Sequence, residues 1–240
     1  FKGNLYAVNP KESNINNVKV YSSVDELPDT DLAILAIASK YCLDTVKTLA
    51  YKKNTKAFII LSAGFSEENH EGAILEKEIV KVIEETGGCL IGPNCIGIIT
   101  PFHASAFTTP IPKIDTKGID FISGSGATAV FIMESGIPKG LTFSSVFSVG
   151  NSAQIGVEEI LEYLDNNYQD GVSSPIKLLY LETINKPKKL LKHATSLISK
   201  GCKIAAIKAG SSEAGSRAAS SHTGALASSD VAVNALFKKA

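Results

Sequence analysis

The sequence lacks any excess of one charge and any long hydrophobic run. Its 24 Lys and Arg residues balance 24 Asp and Glu residues, which argues against a nucleic acid or an anionic membrane as the main partner. No apolar run reaches the roughly 18 residues that a membrane-spanning helix needs. The first residues contain no basic segment followed by an apolar stretch, so we expect no signal peptide. With 44% hydrophobic residues, the chain can still bury a sizeable core.

Cysteine is scarce as well, and its positions exclude two kinds of structural site. The four cysteines form no CxxC pair and no Cys/His spacing typical of zinc, so we expect no metal. So few cysteines in a chain of this length are typical of reduced thiols in a cytoplasmic protein rather than of a disulfide framework. They are Cys42, Cys89, Cys95 and Cys202.

Short apolar runs alternate with helical patterns along the whole chain. Near-continuous apolar strands separated by helices predict a parallel sheet covered by helices on both faces. The fold class is therefore α/β, with a Rossmann-like domain followed by a flavodoxin-like parallel domain. The predicted strands lie within 5–10, 32–38, 57–65, 89–99, 118–124, 141–150, 176–184 and 202–210, and the predicted helices lie at 40–53, 70–87, 127–135, 155–166, 187–200 and from about 228.

The boundaries of the two domains follow from composition and from strand order. Residues 100–117 contain three prolines and no sustained periodicity, and we interpret them as a linker between domains at 1–112 and 113–240. A dinucleotide-binding fold opens with a strand and a Gly-rich turn, whereas the first run here resembles its second strand. We therefore expect one further βα unit, about 25–30 residues, upstream of Phe1. Since the chain also ends within a helical pattern, we expect it to be a piece of a longer polypeptide.

A single histidine stands among small residues in the segment GSSEAGSRAASSHTGALASSD, residues 210–230. The segment follows a predicted strand, and open α/β sheets place their sites at the carboxyl ends of strands. Small neighbours would let His222 move, and an imidazole nitrogen can take up a phosphoryl group and release it later. An exposed histidine on a polar loop is the alternative interpretation, and composition leaves both open.

Two Ser/Gly-rich turns lead from predicted strands into helices. In ISGSGATAV (122–130) and SVGNSAQIG (148–156), the first N–H groups of each helix would be unpaired and able to hold phosphate. An ordinary turn with Ser125 as the N-cap explains the first turn equally well. Glu182 ends a neighbouring strand, where it could accept a hydrogen bond from Nδ1 of His222, or simply meet solvent.

The first domain offers small-residue strand ends rather than a ribose-binding carboxylate. NAD-binding folds usually place Asp or Glu after the second strand, where this sequence has Asn9-Pro10-Lys11. Lys11 would suit a phosphate instead. The segments LSAGF (61–65) and GPNCIG (92–97) would let a nucleotide-like ligand approach the backbone closely.

Seven pieces of the chain, taken together, resemble one family. They are YAVNPK, FIILSAGFSE, IGPNCIGII, FISGSGA, SVGNSA, YLETI and KAGSSEAGSRAASSHTGALA, in this order. In these pieces the chain resembles the α-subunit, or α-like half, of NDP-forming acyl-CoA synthetases. The resemblance is to ADP-forming acetyl-CoA synthetase and, more distantly, to succinyl-CoA synthetase. It implies the reaction of acyl-CoA, ADP and phosphate to acid, CoA and ATP through an acyl phosphate and a phosphohistidine.

The resemblance also implies roles for particular residues and partners. His222 would be the phosphorylated histidine, and Glu182 would orient it. The CoA-binding residues would be Lys11, Leu61, Ser62, Ala63, Asn94 and Cys95, and the phosphate-binding residues would be Ser125, Gly126, Ala127, Gly150 and Asn151. The chain contains no ATP-grasp segment, so ATP or ADP and magnesium would bind to an ATP-grasp domain or subunit elsewhere, and we expect an oligomer.

Two positions depart from the family pattern. Gly124 stands where the family turn commonly has Gln, and Val130 stands where succinate enzymes carry Tyr, which disfavours succinate as the acid. Two other functions remain open at this point. Related domain pairs fused to acetyltransferases act as CoA- or nucleotide-sensing regulators, and an NAD-dependent oxidoreductase is a third possibility that the missing acidic residue disfavours.

Overall fold

A computed structural model of the chain describes residues 3–210, and it divides the strands among three sheets. The first part of the chain contains β1 (Ala7–Val8), β2 (Asn14–Ile15), β3 (Val18–Tyr21), β4 (Leu32–Leu35), α1 (Ser39–Lys52), β5 (Ala57–Ile60), α2 (His70–Glu85) and β6 (Cys89–Ile91). In this part β1 runs parallel to β3, and β4, β5 and β6 form a second parallel sheet in that order. Within the described residues, no ladder joins β1 to β4.

The second part of the chain forms one six-stranded sheet. It contains β7 (Gly97–Ile99), β8 (Ala104–Ala106), β9 (Ile114–Ser123), α3 (Gly126–Gly136), β10 (Phe143–Ser148), α4 (Val157–Asn166), β11 (Ile176–Leu181), α5 (Pro187–Ser199) and β12 (Lys203–Lys208). The strand order is β12-β11-β9-β10-β7-β8. The first four strands in that order are parallel, whereas β7 and β8 are antiparallel to their neighbours.

Both faces of the central strands β9 and β10 are buried, which explains their near-continuous apolar runs. Successive residues of β9 point to opposite faces, so Phe121 joins the core under α3, while Ile122 joins the core under α4 and α5. The same alternation in β10 places Val146 in the first of these cores and Phe147 in the second. The two-sided parallel sheet predicted for this part of the chain is therefore confirmed.

The main difference from the sequence-based prediction concerns residues 100–117. The interpretation as a linker is wrong for 104–106 and 114–117, which are strand residues in β8 and β9. The prolines made this segment resemble a linker. They flank the strand residues and do not interrupt them, so both strands can form. The domain boundary between residues 112 and 113 stays a prediction. β7 and β8 precede this boundary, yet they belong to the six-stranded sheet of the second part of the chain. Among the described residues, no helix is both long enough and apolar enough to span a membrane.

Candidate active site

A cavity of about 580 Å³ lies where the first and second parts of the chain meet. Most of its walls come from residues that follow the parallel strands β5, β6, β9, β10 and β11, and Phe107 follows β8. Open α/β sheets bind ligands at the carboxyl ends of their parallel strands. Nine of the thirteen predicted site residues line it. They are Leu61, Asn94, Cys95, Ser125, Gly126, Ala127, Gly150, Asn151 and Glu182.

The other four predicted residues are placed differently. Lys11 is exposed just after β1, and its backbone N–H donates to Asn9 Oδ1 at 2.9 Å. Ser62 and Ala63 follow Leu61 but do not line the cavity, and the carbonyl of Ser62 accepts a hydrogen bond from the Asn94 N–H at 2.9 Å. His222 lies outside the described residues.

The start of α3 forms one wall of the cavity with fixed backbone donors. Ser125 is the N-cap, and its hydroxyl accepts the Thr128 N–H at 3.3 Å. The Ser123 hydroxyl holds the same turn by donating to the Ser125 carbonyl at 2.7 Å. Among residues 3–210, the N–H groups of Gly126 and Ala127 donate no hydrogen bond, and both residues line the cavity. This helix start can therefore hold an anion with little rearrangement.

Gly124, the departure from the family pattern, leaves room beside Glu182. A Cβ atom at residue 124 would lie 3.7 Å from Glu182 Cγ, so a longer side chain there would compete with the carboxylate for space. The backbone of Glu182 is held by Lys208, whose Nζ donates to its carbonyl at 2.8 Å. Glycine at position 124 therefore leaves the Glu182 carboxylate more room at this wall than a longer side chain would.

A polar cluster joins the two parts of the chain at the cavity wall, where Ser66, Glu67, Asn94 and Asn151 all line the cavity. The Asn151 amide donates to Glu67, to Glu76 Oε2 at 2.9 Å and to the Ser66 hydroxyl at 3.2 Å. Its oxygen accepts a longer hydrogen bond from Asn94 Nδ2 at 3.4 Å. Two carboxylates from the first part of the chain thus fix the orientation of the Asn151 side chain in the second part.

Sequence reasoning missed the contributions of Ser66, Glu67 and Glu76. A signal for the first two was present, because they end the family-like piece FIILSAGFSE. Burial raises the pKa of Glu67, but hydrogen bonds from the Asn151 amide and from the N–H groups of Gly64 and Phe65 outweigh burial and leave the pKa below its usual range. Glu67 is therefore ionised at neutral pH, with its oxygens occupied by donors of the protein.

Cys95 lines the cavity but is chemically inert. It is buried, its thiol donates to the Ile60 carbonyl at 3.3 Å, and burial raises its pKa to about 11. At pH 8, only about one in a thousand thiol groups with that pKa is ionised to the thiolate, which is the reactive form. Cys95 thus shapes the cavity without serving as a nucleophile.

We predict that one of the four thiols of the folded protein reacts rapidly with a charged disulfide reagent at pH 8. Cys89 is exposed, whereas the other three cysteines are buried. The Cys89→Ser variant should lose the rapid phase, and mass spectrometry of the labelled peptides identifies the site. Cys42 is the matched control, because burial also raises its pKa to about 11 at a position away from the cavity. Rapid labelling of Cys95 alongside a slow Cys42 would contradict the prediction.

Comparison with known families matches both parts of the chain. A family model described as a succinyl-CoA ligase like flavodoxin domain matches residues 116–240. A second model, described as a CoA binding domain, matches residues 2–101. The predicted fold class, a CoA-binding domain followed by a flavodoxin-like domain, is therefore confirmed.

Two curated relatives match the whole chain at similar identity. The subunit alpha of acetate–CoA ligase [ADP-forming] II from Pyrococcus furiosus is 37% identical over 99% of this chain and 50% of the relative. Acetate–CoA ligase [ADP-forming] I from Archaeoglobus fulgidus is 37% identical over 100% of this chain and 34% of the relative. The chain thus spans about half of one relative and about a third of the other.

A solved structure supports the same assignment. The dinucleotide forming acetyl-coenzyme A synthetase 1 of Ca. Korarchaeum cryptofilum, in complex with phosphate and ADP, matches with a TM-score of 0.87 and 29% identity. That match covers 100% of this chain and 50% of the synthetase chain. Each part of the sequence thus matches a domain of one kind of enzyme, in the same order. The chain belongs to the NDP-forming acyl-CoA synthetase family, as an α-subunit-like part of such an enzyme.

Proposed function

We propose that the chain supplies the CoA-binding and phosphohistidine parts of an ADP-forming acid–CoA ligase. With the rest of the enzyme, it would convert acyl-CoA, ADP and phosphate reversibly to acid, CoA and ATP. One observation carries the proposal: nine residues singled out for CoA and phosphate chemistry, from separate parts of the sequence, line one cavity. The relatives named above carry ligase or synthetase names, which favours this function over a regulatory module.

The proposed phosphate site is the start of α3. The N–H groups of Gly126 and Ala127 face the cavity with the positive end of the helix behind them. Ser125, Gly150 and Asn151 complete the site from the adjoining turns. Donors that are already in place stabilise the charge that develops during phosphoryl transfer, because they need not reorganise during the reaction.

The proposed CoA path runs over the first part of the chain. Lys11 would bind a phosphate of CoA. The backbones of Ser62 and Asn94, which are hydrogen-bonded to each other, would border the rest of the CoA molecule. Beside them would lie Leu61, Ala63 and Cys95. The exposed ammonium and the small strand ends suit a long, phosphate-bearing ligand whose reactive end enters the cavity. CoA supplies the thioester, whose carbonyl carbon is attacked by a phosphate oxygen while the C–S bond breaks and the thiolate takes up a proton.

His222 and Glu182 would perform the second transfer. The Nε2 lone pair of His222 attacks phosphorus, the bond to the acyl oxygen breaks, and the acid leaves as a carboxylate. Glu182, which lines the cavity, accepts the hydrogen bond of Nδ1 and stabilises the charged ring. ADP then takes the phosphoryl group from His222 and becomes ATP.

The proposal also assigns the two domains, the nucleotide-binding partner, the acyl substrate and the compartment. Residues 1–112 would be the CoA-binding domain, and 113–240 would be the domain that carries the phosphohistidine. ADP or ATP and magnesium would bind to an ATP-grasp domain or subunit, and a small carboxylic acid would be the acyl substrate of an oligomeric enzyme. Four free cysteines favour a reducing compartment, such as the cytoplasm.

We expect the full-length enzyme, with its ATP-grasp part, to take up label from γ-labelled ATP and magnesium. The label should be acid-labile and base-stable, as a phosphohistidine is, and His222→Ala should abolish it. His70→Ala is the matched control, because His70 begins α2 and does not line the cavity. Labelling of His222→Ala at the wild-type level defeats the proposal, as does a wild-type enzyme that takes up no label.

A further inference from the structure

A buried carboxylate lies behind the wall of the cavity. Glu158 is the second residue of α4 and is 2% exposed. Its Oε1 accepts two backbone hydrogen bonds from the start of the next helix, from the Asn185 N–H at 2.8 Å and the Lys186 N–H at 2.9 Å. Glu158 does not line the cavity itself, whereas its neighbour Val157 does.

The position of Glu158 between two helix starts explains why a charged group is buried there. Helix α5 begins at Pro187, and its N-cap residue Lys186 makes no side-chain cap of its own. The N–H groups just before α5 have no acceptor within that helix, and they donate to the Glu158 carboxylate of α4 instead. The carboxylate also lies in the first turn of α4, where the helix dipole favours negative charge.

These contacts tie together two segments that form the cavity wall. The segment 150–156 leads into α4 and contributes Gly150, Asn151 and Ser152 to the wall. The segment 182–186 leads into α5 and contributes Glu182, Thr183 and Asn185. Glu158 lies two residues after the first segment and accepts hydrogen bonds from the backbone of the second, so it sets the distance between the two segments.

We propose that Glu158 is a positioning residue for phosphoryl transfer to His222. By fixing the backbone at Asn185 and Lys186, it holds Glu182 at the distance from the α3 phosphate site that the transfer requires. This inference rests on the proposed function and adds a residue to it. The role is specific to phosphoryl transfer, because the contacts of Glu158 are to the segment that carries Glu182 and not to the proposed CoA residues.

The test compares three variants in the full-length enzyme with its ATP-grasp part. Glu158→Ala removes the acceptor, and Glu158→Gln keeps an oxygen at the same reach. Glu162→Ala is the matched control, one turn further along α4, where the partly exposed carboxylate pairs with Lys189 at 2.8 Å and lies 3.4 Å from His193 Nε2. The measurements are the rate of His222 phosphorylation, kcat, and KM for CoA, with the unfolding midpoint of each variant.

Glu158→Ala should slow His222 phosphorylation and lower kcat by about 100-fold, because a misplacement near 1 Å has that effect, and should leave KM for CoA unchanged. Glu158→Gln should restore most of the rate, and Glu162→Ala should stay close to wild type. An unchanged rate in Glu158→Ala, or equal changes in KM and kcat that Glu158→Gln does not rescue, overturns the inference alone. A wild-type enzyme that takes up no label overturns the proposed function and this inference with it.

Discussion

Replacement of Lys177 by methionine should lower the free energy of unfolding by about 3–5 kcal/mol. Lys177 is 1% exposed, and its ammonium lies 2.6 Å from Asp120 Oδ2 and 2.6 Å from the Ser174 carbonyl. Asp120 is itself buried, and its other oxygen accepts the Ser145 hydroxyl at 2.6 Å. Without the ammonium, a carboxylate would remain inside the sheet with one hydroxyl as its partner, and that desolvation is the source of the loss.

Chemical denaturation with and without a second substitution checks the pair. The double variant Lys177→Met, Asp120→Leu should lose less stability than Lys177→Met alone, since neither charge is then buried without a partner. Lys52→Met is the matched control, because Lys52 pairs with Asp25 at 3.1 Å with both side chains more than half exposed. That variant should lose at most about 1 kcal/mol. Equal losses for Lys52→Met and Lys177→Met would contradict the prediction.

The buried pair also marks the limit of what the sequence could predict about the fold. The strands that carry Asp120 and Lys177 were predictable, because apolar residues on two covered faces give continuous runs. The pairing was not, because 57 residues separate the two charges and only the alignment of β9 with β11 places them opposite each other. Such register depends on tertiary packing, whereas strand and helix signals are local.

Strand β8 was missed for a related reason, whereas β7 lies within the predicted strand segment 89–99 and only its antiparallel pairing was not predicted. β8 has three residues and lies among prolines and small residues that weaken a local strand signal. β8 lies at the edge of the six-stranded sheet, where it pairs with β7, which in turn pairs with β10. Short edge strands of this kind acquire their structure from a neighbour rather than from their own composition.

The candidate site was more predictable than these strands, because its logic is general. Parallel strands end at one edge, so Gly- and Ser-rich turns after strands point to a common cavity, and Glu182, Ser125 and Gly150 all line it. The carboxylates that orient Asn151 were not predictable, although Glu67 itself lines the cavity. Glu67 and Asn151 are 84 residues apart, and nothing in either local sequence pairs them. Most residues that line the cavity follow the ends of parallel strands, whereas the contacts that orient their side chains depend on tertiary packing.

Substitution of Gly150 by alanine should damage both stability and the site. Gly150 has φ of +54°, and a Cβ atom there would lie 2.1 Å from the Pro93 carbonyl oxygen and 2.5 Å from that of Asn94. Both obstacles are backbone atoms, so the turn that carries Asn94 and Cys95 would have to move. Left-handed backbone costs an alanine about 1–2 kcal/mol, and forced repacking adds about 1–3 kcal/mol.

The variant Gly171→Ala separates the cost of the left-handed backbone from the cost of repacking. Gly171 has φ of +71° and no atom within 4 Å of a Cβ position, so Gly171→Ala should show the backbone cost alone, about 1–2 kcal/mol. Denaturation midpoints should place Gly150→Ala clearly below that control. Because the displaced turn also lines the cavity, His222 phosphorylation should fall about 100-fold in Gly150→Ala and stay unchanged in Gly171→Ala. Equal stability of the two variants would show that the close approach of the Pro93–Asn94 backbone to Gly150, on which this wall of the cavity depends, does not exist.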